Sequence, residues 1–321
     1  MKRVPRVSIG LAVFNGENYI RAAIDSILNQ TYTDFELIIV DNASTDKTQQ
    51  ICQEYEAMDK RVKYHRNNSN IGAVANYNRA FHYSTGEYFK WAAHDDVLAS
   101  EFLSNCVKVL DSDSSIVLCH TKTAEIDANG KILSIYNHKV KYDSPKPHER
   151  FGEFVLKNED DASWTYIFGL MRSNLVRLTN LQGQFIGADI NFLAEIALLG
   201  RFYEIPEVLF YRRYHDEAYS NKYILDKKMT YEKHIAWWLG QYKISFIWLE
   251  RCLEYFRSVN RVPLKWSERL LSYGQILKWL AKIGWILIMD EMLVFFLTHS
   301  RIGIKLSPFV TRIRQLLSRS D

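Results

Sequence analysis

The sequence predicts an α/β protein with a doubly wound, mainly parallel, Rossmann-like sheet and a helical C-terminal extension. Short β-rich apolar segments alternate with helical segments along the first part of the chain, and polar residues follow several of the predicted strands. Beyond residue 226 the composition becomes aromatic and helical. With 321 residues, of which 47% are hydrophobic, the chain can fill a large core.

The alternation begins at the N-terminus. Residues 7–13 and 36–40 are apolar and β-rich, as strands are when helices cover both faces of a parallel sheet. Apolar residues recur at helical spacing between positions 20 and 28, which completes a βαβ unit. The pattern then continues with a helix bearing Ile51 and Tyr55, a strand at 62–65, a helix through Val74, Tyr77 and Phe81, and a strand at 87–93.

The second half is predicted to be less regular. It contains a strand at 116–120, a hairpin at 125–132 around Asn129 and Gly130, a helix at 151–157, a strand at 166–171 and a helix at 189–199.

The C-terminal region is distinguished by its charge. Residues 257–320 hold eleven Lys and Arg against three Asp and Glu, whereas the whole chain has a formal charge of only +4. The apolar run at 279–297 is interrupted by Lys282, Asp290 and Glu291, so we do not expect it to span a membrane. We favour an element that lies on an anionic membrane surface; the alternative is a helical bundle or homodimer interface with a solvated basic tail.

The sequence gives little support for a disulfide-rich, secreted or nucleic-acid-binding protein. Four scattered cysteines form no CxxC pair, so we expect reduced thiols and a cytoplasmic location. The basic N-terminus leads into a predicted strand and not into a signal peptide. No nucleic-acid reader motif accompanies the basic C-terminus, and nucleic acid is not an expected partner.

An acidic pair, Asp95 and Asp96, follows the predicted strand at 87–93. Ligands bind beyond the carboxyl ends of strands in such sheets, and Asn15 and Asp41 fall at the same edge. Carboxylates there can hold Mg²⁺ or Mn²⁺ against a diphosphate. The alternative is that the pair caps the following helix.

Three motifs in order carry a family resemblance: VSIGLAVFNGENYIRAAIDSILNQTYTDFELIIVDNASTDKT, NIGAVANYNRA and TGEYFKWAAHDDV. Over roughly residues 4–215 the chain resembles family 2 of the nucleotide-sugar glycosyltransferases, which have the GT-A fold. The resemblance implies an inverting transferase that displaces a nucleoside diphosphate, most simply from a UDP-sugar, with a divalent cation, Mn²⁺ or Mg²⁺, as cofactor.

The resemblance assigns donor contacts residue by residue. Phe14, Asn15 and Glu17 match the first-strand motif near the nucleotide base, and Asp41 matches the acidic residue that recognises the base. An Asx-turn is the structural alternative for Asp41. Asn70, Gly72 and Asn78 match a further nucleotide-sugar element, in which Tyr77 stands where the family often has arginine.

The acidic motif departs from the family pattern, because Ala93 occupies the place of its first carboxylate. We therefore assign metal binding first to Asp95, with Asp96 as a supporting metal ligand or ribose contact, and His94 as an acceptor contact. Arg213 and His215 resemble a closing motif that meets the diphosphate or metal; surface positions are the alternative.

Acceptor chemistry is assigned to the second half. By the resemblance, Asp189 is the general base that deprotonates the acceptor hydroxyl; its alternative is a helix cap. Trp164 and Phe168 form an apolar wall for the acceptor sugar, or else belong to the core.

The predicted organisation is a glycosyltransferase domain at 1–225, with a nucleotide-sugar half at 1–114 and an acceptor half at 115–225, followed by the helical region 226–321. The predicted function is sugar transfer to a glycan or lipid-linked acceptor in cell-surface polysaccharide synthesis, at the inner face of the cell membrane. Loss of the first carboxylate at Ala93 motivates one alternative, a catalytically silent nucleotide-sugar-binding scaffold subunit.

Overall fold

A computed structural model describes residues 4–136, 141–156, 163–215, 237–240 and 246–299. The strands are β1 Val7–Val13, β2 Phe35–Asp41, β3 Val62–Arg66, β4 Tyr88–Ala93, β5 Val97–Leu98, β6 Ile116–Ile126, β7 Ile132–Ile135, β8 Leu170–Arg172 and β9 Arg201–Arg213. The helices are α1 Ile20–Leu28, α2 Thr48–Met58, α3 Ala73–His82, α4 Phe102–Ser112, α5 Pro147–Leu156, α6 Ser173–Val176, α7 Ala188–Leu199, α8 Ile247–Arg261, α9 Trp266–Trp279 and α10 Trp285–His299.

The nine strands form one sheet in the order β3-β2-β1-β4-β8-β6-β9-β5, with β7 paired to β6. Strands β1 to β4 pair in parallel, and every residue of β1 and β2 is buried. Continuous Val, Ile and Leu runs suit strands that are covered on both faces. The predicted α/β class and the predicted elements of the first half are therefore confirmed.

The second half of the sheet is mixed. Strand β6 is parallel to β9, β8 runs antiparallel between β4 and β6, and β5 is antiparallel to β9. The predicted hairpin is confirmed: β6 and β7 are joined by a turn in which Gly130 has φ +90°. The short β5 pairs with the end of β9 and so brings the acidic loop after β4 beside that strand.

One predicted element is wrong. Residues Ser163–Phe168 form a 3-10 helix, and only Leu170–Arg172 is a strand. Tyr166 is buried and stacks on His120 at 4.0 Å between ring centroids. An apolar, aromatic run of this length has the same pattern whether it is a buried strand or a buried helical turn.

The C-terminal helices pack on the second half of the sheet domain. Helix α9 lies against α5, and α8 lies against α7. Helices α9 and α10 are joined by a π-helical turn, Leu280–Gly284. Glu291 accepts hydrogen bonds from the backbone N–H groups of Ile247 and, at 3.1 Å, Trp248, so this acid satisfies the N-terminus of α8.

No helix among the described residues is both long and apolar enough to cross a membrane. The predicted boundary at 225/226 and the basic residues Arg301, Lys305, Arg312, Arg314 and Arg319 lie outside the described residues.

Candidate active site

Two loops at the carboxyl edge of the sheet are joined by the predicted donor-side residues. The Asn15 Oδ1 atom accepts a hydrogen bond from the Thr45 N–H at 2.8 Å, and Glu17 Oε2 accepts one from the Lys47 N–H at 2.9 Å. These contacts fix the loop after β1 to the loop after β2. Phe14 stands beside them with 37% of its surface exposed.

Asp41, at the end of β2, is completely buried, and its carboxylate is hydrogen-bonded to several groups. Its carboxylate accepts hydrogen bonds from the Ser44 N–H at 2.8 Å, the Tyr64 hydroxyl at 2.7 Å and the Arg66 guanidinium at 2.5 Å. Asp41 therefore contacts the local backbone three residues on, and not two residues on as in the Asx-turn considered as its alternative role. The base contact stays a prediction. Arg66, whose side chain is 32% exposed, is the most exposed residue of this group.

The loop before α3 is shaped by asparagines. The Asn42 Nδ2 group donates to Asn70 Oδ1 at 2.8 Å, and Asn70 Oδ1 also accepts from the Gly72 N–H at 2.9 Å. Gly72 has φ +85°, a conformation that favours glycine. Asn78, predicted to belong with this loop, instead exchanges hydrogen bonds with the backbone of Gln182. Asn70 and Gly72 thus lie together, and Asn78 lies on α3, the helix that begins directly after Gly72. Its predicted contact with the nucleotide sugar stays a prediction.

Asp95 and His215 meet at the acidic loop. The distance between Asp95 Oδ2 and His215 Nε2 is 3.0 Å, and the His215 ring lies 4.4 Å from that of Tyr19, centroid to centroid. Burial raises the pKa of Asp95, but the charge of His94 and the hydrogen bond from His215 outweigh it, so the pKa is lowered overall. Asp95 is therefore held as an anion beside an imidazole.

The pKa of Asp96 is shifted in the opposite direction to that of Asp95. It is buried, its Oδ1 atom accepts a hydrogen bond from the Arg213 N–H at 2.9 Å, and burial together with the charge of Asp95 raises its pKa to about 7. The Arg213 guanidinium donates to the carbonyls of Asp95 at 2.9 Å and Ala128 at 3.0 Å. Arg213 thus holds the acidic loop in place, and its contact with a diphosphate stays a prediction.

Lys90 lies behind the acidic loop and was not among the residues predicted from the sequence. It is 1% exposed, donates to the carbonyls of Phe168 and Trp91, and lines the same cavity as Asp96. Burial lowers the pKa of Lys90 to about 7. A lysine in the middle of an apolar strand gives no sequence signal that separates a buried amine from a surface one.

Asp95 supplies a carboxylate oxygen, the kind of ligand that Mn²⁺ and Mg²⁺ prefer. His215 would add an imidazole nitrogen, which suits Mn²⁺ better than Mg²⁺, by giving up its hydrogen bond to Asp95. Among the described residues no group of three or more His, Cys, Asp and Glu side chains could hold a metal ion. Hard divalent cations are commonly bound through one or two protein ligands, with substrate phosphates completing the coordination. The pair therefore fits a cation that arrives with a diphosphate.

Asp189 lies in the first turn of α7, two residues after Gly187, which has φ +80°. It is partly buried, and its Oδ1 atom accepts a hydrogen bond from the Ile190 N–H at 2.9 Å. A carboxylate in this position also interacts favourably with the helix dipole. Gly187 is the N-cap residue and this helix start has no side-chain capping hydrogen bond, so Asp189 is not the cap considered as its alternative role. Its role as a base stays a prediction.

The three predicted acceptor contacts are partly buried. The Arg212 guanidinium lies 4.8 Å from the centroid of the Trp164 ring, and Phe168 packs on Phe210 at 5.6 Å. His94 lies against Gly16, where an added Cβ would come within 2.5 Å of its ring. His94 thus joins the acidic loop to the loop after β1.

Comparison with known proteins agrees with this architecture. Residues 8–175 match the profile described as Glycosyl transferase family 2. The chain is 32% identical over 145 residues to the putative glycosyltransferase EpsH of Bacillus subtilis, an alignment covering 45% of this chain and 41% of EpsH. The chain therefore spans less than half of that relative's length.

Two solved structures share the fold. TarS from S. aureus, residues 1–349 in complex with UDP-GlcNAc, superposes with a TM-score of 0.60 at 15% identity, covering 90% of this chain and 80% of that one. The mannosyltransferase PcManGT from Pyrobaculum calidifontis, in complex with GDP-Man and Mn²⁺, has a TM-score of 0.51 at 16% identity, covering 97% and 81% respectively. The expected GT-A type of fold is confirmed.

Proposed function

Because this chain belongs to glycosyltransferase family 2, we propose that it is an inverting transferase that moves a sugar from a UDP-sugar to a glycan or lipid-linked acceptor. The observation that carries the proposal is the 3.0 Å contact between Asp95 and His215 at the carboxyl edge of the sheet. The structural relatives support the donor class, since TarS was solved with UDP-GlcNAc and PcManGT with GDP-Man and Mn²⁺.

In this proposal the donor lies along the carboxyl edge of the sheet. Arg66, held by Asp41, faces the nucleotide base, and the Asn70–Gly72 loop lies along the nucleotide. Asp95 and His215 would hold Mn²⁺ or Mg²⁺, with Asp96 in support. The cation would neutralise charge on the departing diphosphate.

Asp189 takes the proton of the acceptor hydroxyl. The oxygen then attacks the anomeric carbon on the face opposite the diphosphate, and the bond from that carbon to the diphosphate oxygen breaks with its electron pair leaving on UDP. Trp164, Phe168 and His94 are the proposed acceptor contacts. A role in cell-surface polysaccharide synthesis is part of the same proposal.

The alternative is a catalytically silent nucleotide-sugar-binding scaffold subunit, and the observation that favours it is Ala93 in place of the family's first carboxylate. The structure offers a substitute for that carboxylate, because His215 approaches Asp95 from the end of β9. We therefore favour the enzyme.

The experiment is a screen of nucleotide sugars for diphosphate release and acceptor glycosylation, with and without Mn²⁺. Wild-type protein is compared with Asp95→Ala, Asp189→Ala and the exposed-site control Asp143→Ala. We expect metal-dependent turnover that both site variants lose and the control retains. Donor binding without any turnover would establish the scaffold alternative, and wild-type turnover by both site variants would refute the site assignment.

We also propose that the C-terminal helices dock on an anionic membrane surface at the cytoplasmic face. Five exposed apolar side chains recur at near-helical spacing along α9 and α10, each about half exposed: Leu277, Trp285, Ile286, Met289 and Leu293.

Two exposed lysines, Lys278 and Lys282, lie beside these apolar side chains. The sequence that follows α10 is rich in arginine. Apolar side chains flanked by cations complement the headgroup region of an anionic bilayer. Asp290 is also exposed here, which suits the headgroup boundary better than the hydrocarbon interior.

The test is sedimentation with vesicles of phosphatidylcholine alone or mixed with phosphatidylglycerol. The double substitution Trp285→Glu and Met289→Glu should abolish binding to the anionic vesicles, whereas Met58→Glu, at a 78% exposed site on α2, should not. Undiminished binding by the double variant would overturn the proposal. So would a change in its oligomeric mass without a change in vesicle binding, which would identify the face as a homodimer interface.

A further inference from the structure

The segment of residues 181–187 leads into α7 and determines where Asp189 stands; we call it the base loop. It begins at Leu181, with φ +56°, and ends at Gly187, with φ +80°. Left-handed backbone costs a leucine about 1–2 kcal/mol, so this residue does not adopt it by local preference. Contacts from outside the loop must impose its shape.

One such contact comes from α3. The Asn78 Nδ2 group donates to the Gln182 carbonyl at 2.8 Å, and Asn78 Oδ1 accepts from the Gln182 N–H at 3.2 Å. A carboxamide is the side-chain group that can both donate and accept in this geometry, as a neighbouring backbone would. Helix α3 begins directly after Gly72, so Asn78 belongs to the nucleotide half of the site. We call a side chain that holds the base loop from outside in this way a brace.

A second contact comes from the short segment 237–240. The Trp238 Nε1 group donates to the Phe185 carbonyl at 2.7 Å. Gly240, two residues later, packs against the loop before α3 so tightly that an added Cβ would lie 2.5 Å from the carbonyl carbon of Ile71 and 2.6 Å from the Gly72 nitrogen. The same few residues therefore contact the base loop and the loop at Asn70–Gly72, which we call the nucleotide loop.

We propose that Asn78 and Trp238 are positioning residues for Asp189, which hold the base loop in register with the nucleotide loop at Asn70–Gly72. The proposal rests on the proposed role of Asp189 as the base. Both side chains contact the base loop through hydrogen bonds to its backbone, at Gln182 and Phe185. They act on the reaction through Asp189 and not by touching the reacting atoms.

This arrangement predicts a specific kinetic signature. A base displaced by about 1 Å costs on the order of a hundredfold in rate, whereas donor contacts elsewhere are unaffected. Loss of either brace should therefore lower kcat by about tenfold to a hundredfold while the donor KM changes by less than about threefold. A residue that binds the nucleotide directly would raise the donor KM instead.

The experiment compares Asn78→Asp and Trp238→Phe in the full-length protein. Asn78→Asp keeps an acceptor for the Gln182 N–H but sets an anion against the Gln182 carbonyl, and Trp238→Phe keeps an aromatic ring but removes the indole donor. The matched control is Trp237→Phe, at the neighbouring tryptophan. Each variant is measured for kcat, donor KM, thermal stability and hydrogen exchange of the amides at 182–189.

We expect both brace variants to show the kcat loss together with exchange at 182–189 faster by about fivefold or more, as befits a lost hydrogen bond, with exchange elsewhere unchanged. Unchanged exchange in this segment, or a raised donor KM at unchanged kcat, would overturn the proposal. Asp189→Ala is assayed in parallel. Full activity of that variant would refute the base assignment, while the exchange rates would still report whether the braces hold the loop.

Discussion

The nucleotide half and the base loop are held in different ways. In the nucleotide half the candidate residues lie at or after the ends of β1, β2, β3 and β4, four neighbouring strands whose parallel pairing fixes the spacing of their ends. Asp189 instead follows a loop with two left-handed residues, braced by Asn78 and Trp238. The difference suggests that donor binding and base placement are separable properties, which substitutions can alter independently.

The largest effect on the nucleotide half should come from Asp95→Ala. The substitution removes the anion that contacts His215, and we expect transfer to fall by about a thousandfold, the scale seen when a group that stabilises developing charge is lost. Mn²⁺-dependent donor binding, measured by calorimetry, should disappear with it. Retention of metal-dependent donor binding would show that another residue holds the cation.

Asp41→Asn should act on both stability and donor affinity. The carboxylate is completely buried and hydrogen-bonded to Arg66 and Tyr64, and leaving a partner charge uncompensated costs about 3–5 kcal/mol. Because Arg66 is partly exposed, we expect a smaller loss, together with a donor KM raised more than kcat is lowered. Urea unfolding and initial-rate kinetics check the two effects; an unchanged donor KM would remove Arg66 and Asp41 from the nucleotide contact.

Gly72→Ala tests the junction between the two regions. Gly72 has φ +85°, and an added Cβ would lie 2.3 Å from the Gly240 nitrogen. Gly130, with φ +90° and open space around it, is the matched control for backbone strain alone. We expect Gly130→Ala to cost about 1 kcal/mol in unfolding free energy, and Gly72→Ala to cost more and to lower kcat. Equal costs and equal activities would show that the contact with Gly240 has no role.

A smaller and purely structural effect is expected from Lys90. Its folded-state pKa of about 7 lies below that of the unfolded chain, so the unfolded state binds more protons between about pH 7 and pH 10. The contribution of Lys90 to stability therefore rises with pH across this window. Lys90→Met should flatten the rise in unfolding free energy between pH 7 and pH 9, measured by urea unfolding; an unaltered pH profile would contradict the burial argument.

Local patterns were enough to predict most of the first half. Apolar runs and helical spacing gave the βαβ order, and turn residues at strand ends pointed to Asn15, Asp41 and Asp95. Gly72 could be identified as a loop glycine because few other residues adopt its backbone conformation.

The partners of these residues could not be predicted, because they are distant in sequence. Arg66 reaches Asp41 from β3, Trp238 reaches the base loop from 53 residues away, and Lys90 is buried only because of the layers that cover it. The prediction of a strand at 166–171 was wrong for a related reason: a buried strand and a buried helical turn share one apolar pattern, and tertiary packing decides between them.

The most direct test of the account is donor binding by Asp189→Asn, measured by calorimetry with Mn²⁺ and the cognate nucleotide sugar, alongside its kcat. We expect a donor Kd within about twofold of the wild-type value and a kcat lower by about a thousandfold, because a general base contributes on that scale and Asp189 takes no part in donor binding. A kcat equal to that of the wild type, or a donor Kd weakened in parallel with kcat, would contradict the account.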